Sequence, residues 1–230
     1  MKTIGLIGGM SWESSKVYYE YLNTLVKQEL GGLHSAKILM ISLDFSEIEK
    51  YSFEGNWDAI GELMAEHASK LENAGADMVV LCTNTIHLVS NKIKKAITIP
   101  FLHIAEATGQ AIQKAGLNKI ALLGTKFTME KDFYTKILEE NYGLEVLIPE
   151  LKDRIFFQDL IYNELVKGKF TKEAKYKSLK IISQLEEQGA EGVILGCTEL
   201  PILIPDEEVA IPTFNTTLIH SRMAVDLALN

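Results

Sequence analysis

Residues 71–85 read LENAGADMVVLCTNT, and residues 185–199 read LEEQGAEGVILGCTE. The offset between the two stretches is 114, and Leu71, Glu72, Gly75, Ala76, Val79 and Leu81 recur in register. The register places Thr83 on Cys197, each at the end of an apolar run with strand character. One polar, reactive residue at equivalent points of two copies suggests a two-sided active site.

The likeness extends outward from these stretches. Residues 3–9 read TIGLIGG and residues 119–125 read KIALLGT, an offset of 116. Residues 99–101 read IPF and residues 211–214 read IPTF, an offset of 112. Three blocks in the same order at nearly the same spacing point to duplication of a half-domain. The period is far too long for a solenoid or a propeller.

A chain of 230 residues is long enough for one large domain or two small ones. No run approaches the roughly 20 apolar residues that span a bilayer. The opening MKTIGLIGGMSWESS is too short in its apolar part for a signal peptide and reads better as a buried first strand. Cys82 and Cys197 make no disulfide framework, which suits a reducing cytoplasm. A net charge of −8 argues against nucleic acid or anionic membrane as a partner, because both need clustered positive charge. Lys92, Lys94 and Lys95 read as a solvated helix end.

Strand candidates are 3–7, 36–42, 77–82, 99–103, 119–123, 144–147, 192–195 and 209–213. Several are near-continuous Val, Ile and Leu, the pattern of parallel strands covered on both faces. Helical stretches fit between and after them at 13–29, 59–73, 86–95, 106–114, 129–141, 153–166, 172–188 and 217–229. The alternation predicts an α/β fold with parallel sheets. The repeat divides it into a first half, 1–100 with 211–230, and a second half, 101–210. By symmetry the last helix returns to the first half. Ligands in such folds bind beyond the carboxyl ends of the strands, so the site is expected in a cleft between the halves.

The residues that follow the strands are therefore the candidates for chemistry: Gly8 to Ser11 and Thr83 to Thr85 in the first half, Gly124 to Thr128 and Cys197 to Glu199 in the second. Most are small hydroxyl, amide or glycine residues at strand-to-helix junctions, where backbone N–H groups favour a carboxylate or phosphate. Neither GxGxxG nor GxxxxGK[ST] is present, so a small carboxylate is the better anion. Cys197 precedes a short segment before Pro201, and a thiol at a helix N-terminus is expected to have a lowered pKa. The plainer reading is a structural cysteine; its pairing with Thr83 favours function. Cys82 aligns with Gly196, one residue too early, and strand alternation turns it into the core. His87, four residues past Thr83, reads as a packing or capping residue, with cleft acid as the alternative. His34, His67, His103 and His220 have no metal-ligand spacing with the cysteines, and no metal site is expected. Asp44, Glu47 and Glu49 read as an exposed acidic loop, and Trp12 and Trp57 as packing residues.

With Gly8–Met10 as GGM, Asn84–Thr85 as NT and Gly196–Glu199 as GCTE, the chain resembles the aspartate/glutamate racemase family along its whole length. Each motif alone is weak; their order is specific. The combination GGMSWES, CTNT and GCTE is closest to bacterial enzymes described as L-aspartate/glutamate-specific or broad-specificity amino-acid racemases. The resemblance implies two pseudo-symmetric α/β halves and a racemase that works without pyridoxal phosphate or any other cofactor. Dimers are usual in that family, although no stretch of this chain identifies an interface, so a homodimer is an expectation of the resemblance alone.

The family pattern places one cysteine on each side of the substrate α-carbon, one removing and one donating a proton. Here the first of these positions is Thr83. A threonine hydroxyl is far too weak an acid to supply a base comparable to a thiolate. The resemblance thus implies that Cys197 abstracts the α-proton, that Thr83 returns a proton directly or through water, and that the L-enantiomer reacts faster. Asn84, Thr85, Thr198 and the Met10–Ser11 turn would hold the α-carboxylate and amino groups, and Thr125 and Glu199 lie in the same junctions. Two-cysteine aspartate racemases carry a carboxylate-binding arginine in the loop after the second strand; ungapped matching puts Glu47 there. Ser52 in that loop is a substitute contact. Lys167, before Gly168, matches the family's second basic contact. Two rivals stand beside this reading. One is a hydantoin racemase, maleate isomerase or malonate decarboxylase of the same superfamily. The other is a binding module with a degenerate site.

Overall fold

The computed structural model describes residues 1–230. The chain forms two compact units, Met1–His103 with His220–Asn230, and Ile104–Ile219. No helix is long and apolar enough to cross a membrane.

The first unit runs β1 (Ile4–Gly8), α1 (Trp12–Leu30), β2 (Ile38–Ser42), α2 (Phe45–Phe53), α3 (Trp57–Asn73), β3 (Met78–Leu81), a 3-10 turn (Thr85–Val89), α4 (Ser90–Ala96) and β4 (Phe101–Leu102). Its strands are all parallel in the order β2-β1-β3-β4. Side-chain alternation divides its core. Met78, Val80 and Cys82 pack with Tyr18, Leu22 and Val26 of α1, whereas Val79 and Leu81 pack with Ile60, Met64 and Leu71 of α3. Both faces are covered, which is why β1 and β3 are apolar at nearly every position.

The second unit runs α5 (Ile104–Lys114), β5 (Lys119–Gly124), α6 (Lys126–Glu130), α7 (Asp132–Tyr142), β6 (Glu145–Leu147), α8 (Leu151–Asn163), a 3-10 turn (Leu165–Lys167), α9 (Lys172–Glu187), β7 (Gly192–Gly196), α10 (Leu200–Leu203), a 3-10 turn (Asp206–Glu208) and β8 (Thr213–Asn215). The last helix, α11 (Thr216–Leu229), starts in this unit, and Ala224, Val225 and Ala228 on it pack into the first unit's core. The second sheet is parallel with the order β6-β5-β7-β8, the same permutation as the first. The registers repeat as well: Ile7 lies beside Leu81, and Leu123 beside Leu195.

The α/β class and the parallel sheets match the sequence reading; several boundaries move for definite reasons. The strands expected at 99–103 and 209–213 are confined to Phe101–Leu102 and Thr213–Asn215. Proline has no N–H to give, so Pro100 and Pro212 contribute only a carbonyl, to Val79 N at 2.8 Å and Val193 N at 2.9 Å. Because β8 pairs with β7, residues 211–219 group with the second unit. The segment read as an acidic loop is helix α2, with Asp44 capping it by accepting from Ser46 N at 3.0 Å. The helix expected at 86–95 opens as a 3-10 turn, and that expected at 129–141 breaks at Lys131, whose backbone is extended.

Candidate active site

At the carboxyl edge of the first sheet, Gly8 lies beside Ser42 and Ile7 beside Leu81. Gly9 follows with φ +89°, and a Cβ there would lie 2.1 Å from the Leu43 carbonyl oxygen, so only glycine fits. Ser15 Oγ accepts from Gly9 N at 2.7 Å and donates to Ser11 O at 3.0 Å, and Ser11 Oγ caps α1 by accepting from Ser14 N at 3.3 Å. The Met10–Ser11 turn is thereby tied to the helix start. Met10 is buried in the core of the first unit.

Thr83 stands two residues past β3 and is half-buried, whereas Cys82, Asn84 and Thr85 are buried. Burial pushes the Cys82 thiol far up, which makes it an inert core residue. Thr83 N donates to Leu81 O at 2.9 Å, and Thr83 O lies 2.8 Å from His87 Nδ1. His87 is completely buried, so its place is structural support of this segment and not an exposed acid.

The equivalent edge of the second sheet pairs Gly124 with Gly196. A Cβ on Gly196 would lie 2.7 Å from Leu123 O, so close strand contact excludes any side chain one step before the thiol. Thr125 is buried and caps α6: its Oγ1 accepts from Thr128 N at 3.2 Å and bonds Thr128 Oγ1 at 3.1 Å. Cys197 and Thr198 are half-buried, and Glu199 is buried. The Cys197 thiol donates to Glu199 Oε2 at 2.9 Å.

This contact corrects the expectation of a lowered thiol pKa. Burial first, and then the Glu199 charge, push Cys197 well above the ordinary thiol range. The following helix, α10, has only four residues and too little dipole to reverse this. The resting thiol is therefore protonated, with its hydrogen directed at the Glu199 carboxylate. The sequence reading assigned Glu199 to substrate; the signal for its contact with sulfur was the Cys-Thr-Glu spacing itself.

Two other candidates stand apart from the strand ends. Ser52 is half-buried in the last turn of α2, a helix and not a loop. Lys167 is exposed on the 3-10 turn after α8, where its N–H donates to Glu164 O at 3.0 Å. Glu47, at the position matched to the family arginine, is exposed on the first turn of α2.

A sequence profile of a family described as Asp/Glu/hydantoin racemase matches residues 7–224. A broad-specificity amino-acid racemase, RacX, of Bacillus subtilis is 28% identical over 174 residues, 75% of this chain and 74% of that protein. A glutamate racemase of Aquifex pyrophilus is 28% identical over 176 residues, 75% of this chain and 65% of that protein. Among solved structures, a putative Asp/Glu racemase from Yersinia pestis superposes with a TM-score of 0.95 at 45% identity, over 100% of both chains. An aspartate racemase homologue from Pyrococcus horikoshii gives 0.86 at 34% identity, also over 100% of both.

Proposed function

Because the chain belongs to the Asp/Glu/hydantoin racemase family, and is an isomerase of the amino-acid racemase kind, we propose that it interconverts L- and D-amino acids without pyridoxal phosphate. Aspartate, glutamate or a broader set are its substrates, and Cys197 and Thr83 act on opposite faces of the α-carbon. The observation that carries this reading is the Cys197 thiol bonded to a buried carboxylate at a strand end whose equivalent in the other unit leads to Thr83. The thiol hands its proton to Glu199, and the resulting thiolate takes the α-proton. The carbanion is then reprotonated from the Thr83 side, the hydroxyl passing on a proton from water, and the proton held by Glu199 returns to solvent to neutralise the hydroxide left behind. Neither step needs a group outside the protein and solvent.

An amino-acid α-proton is a very weak acid, so the site must stabilise developing negative charge with N–H dipoles. Backbone N–H groups at the Met10–Ser11, Asn84–Thr85 and Thr198 junctions are assigned to the carboxylate, with Ser52, Thr125 and Lys167 as further polar contacts. Exposed Glu47 in place of an arginine removes the bidentate partner for a side-chain carboxylate, which favours acceptance of neutral or longer polar side chains.

The test is incubation with a panel of L-amino acids in D₂O, following α-proton loss and D-isomer formation. Cys197→Ala should slow exchange by a factor on the order of 10²–10⁴, the usual contribution of a positioned acid or base. Exchange that survives this substitution would overturn the role of Cys197. Turnover confined to hydantoins or maleate would point to another member of the superfamily, and binding without exchange to an inactive module. Initial rates should be higher from L than from D, while the equilibrium constant stays near one by symmetry. Equal initial rates would defeat the asymmetric pair.

A further inference from the structure

Thr83 has an anchor that its counterpart lacks. In an α-helical turn the carbonyl of Thr83 would accept from the backbone N–H of His87. Here the turn is 3-10, and His87 N donates instead to Asn84 O at 3.1 Å. That leaves the Thr83 carbonyl without this backbone donor, and the His87 ring supplies the bond, with Nδ1 at 2.8 Å from the oxygen. A carbonyl oxygen only accepts, so His87 carries its proton on Nδ1. At the equivalent position of the second unit stands Pro201, whose ring nitrogen carries no hydrogen to donate, and the Cys197 carbonyl accepts from Leu200 N at 3.2 Å.

The His87 ring is itself oriented by two more histidines. It lies edge to face against His103, with centroids 4.7 Å apart, and against His220, 5.6 Å apart. His220 is held at both nitrogens: Nε2 is 2.9 Å from Leu102 O, and Nδ1 is 2.8 Å from Tyr18 Oη. The carbonyl again fixes the tautomer, with the proton on Nε2 and Nδ1 accepting from the phenol. His220 cannot rotate without losing two buried bonds, so it forms a fixed wall for His87. Burial lowers the pKa of all three imidazoles, with the Lys94 charge adding to it at His103 and the neighbouring rings adding to it at His87.

We propose that His87 is a positioning residue for Thr83: its Nδ1–H, aligned by the His103–His220–Tyr18 cluster, clamps the Thr83 carbonyl and so sets the direction of the Thr83 hydroxyl. Threonine is β-branched and stiff at χ1, so fixing both its N–H and its C=O leaves the hydroxyl few orientations. The proposal rests on the role given to Thr83 above. It explains why a fully buried histidine lies one turn beyond a half-buried threonine.

Three substitutions and one spectrum test it. His87→Leu keeps most of the volume and removes the donor; His87→Asn retains an N–H near the Nδ1 position; His87→Gln moves the donor to the Nε2 position. In α-proton exchange, His87→Leu and His87→Gln should lower kcat by about tenfold or more, since a small misplacement of a reacting group is costly. KM should change little, and His87→Asn should recover most of the loss. A folded His87→Leu with normal kcat, or equal damage from Leu and Asn, would overturn the proposal. The ¹⁵N shifts of the imidazoles decide the clamp even if a variant does not fold: His87 should be the Nδ1–H tautomer and His220 the Nε2–H tautomer. A His87 proton on Nε2 overturns it. A native protein with no Cys197-dependent exchange would sink the racemase reading instead, and the nitrogen shifts would still decide the bond.

Discussion

At Cys197 the thiol donates to a carboxylate two residues along the chain, and that contact sets how readily the thiol ionises. Burial opposes the thiolate, and the Glu199 charge opposes it further. Glu199→Gln removes the charge, so the thiol pKa should fall toward its ordinary value, which thiolate ultraviolet absorbance against pH will show. Turnover should fall at the same time, because an amide does not take the proton. An unchanged thiol titration in this variant would mean that Glu199 is a bystander. Thr83 shows the limit of reading residues singly. Its match to Cys197 was legible from the repeat, and strand alternation sent Cys82 to the core. The partner that holds its carbonyl was not legible, because a histidine four residues on reads equally as packing, and the outcome depended on the turn being 3-10.

Elements show a similar division. The strands were legible because a parallel strand covered on both faces must be apolar throughout. Helix α2 was not, because Asp44, Glu47 and Glu49 look like a polar loop until Asp44 is seen as a cap and Ile48 as the buried anchor of the helix. The ends of strands β4 and β8 depended on the hydrogen-bond capacity of Pro100 and Pro212. The junction after β1 depends on Gly9, where a left-handed backbone coincides with contact against Leu43. Gly9→Ala should cost about 1–3 kcal/mol from the backbone conformation alone, and more from the clash. Chemical denaturation of the two proteins measures it, and a loss below about 0.5 kcal/mol, the range of ordinary surface substitutions, would contradict the geometry.

On the scale of the molecule, two units with one topology carry different side chains. All five histidines, at 34, 67, 87, 103 and 220, and both tryptophans, at 12 and 57, belong to the first unit. Burial lowers His220 to about 4 and His103 to about 3, against an ordinary imidazole value of 6.5, and lowers His87 strongly. Below pH 6.5 the unfolded chain therefore binds protons that the folded unit refuses. Stability is fully present above that pH and declines as pH falls toward 4 and 3. Tryptophan fluorescence, which reports the first unit alone, should show a loss of stability between pH 6.5 and 5, before most carboxylates titrate. A flat stability across that range would mean that the histidines do not stay neutral in the fold.

The sequence by itself determined the duplication, the α/β class, the parallel strands and the matched positions of Thr83 and Cys197. These follow from periodicity and register, which are properties of the chain read along its length. Only the tertiary structure decided that the Cys197 thiol donates to Glu199, that the thiol pKa rises and does not fall, and that the His87 ring meets the Thr83 carbonyl. A pKa is set by burial and by charges brought together in space. A ring's tautomer is set by the carbonyl it meets, and a helix's first turn by the bonds its neighbours leave open. None of these can be read from the order of residues alone.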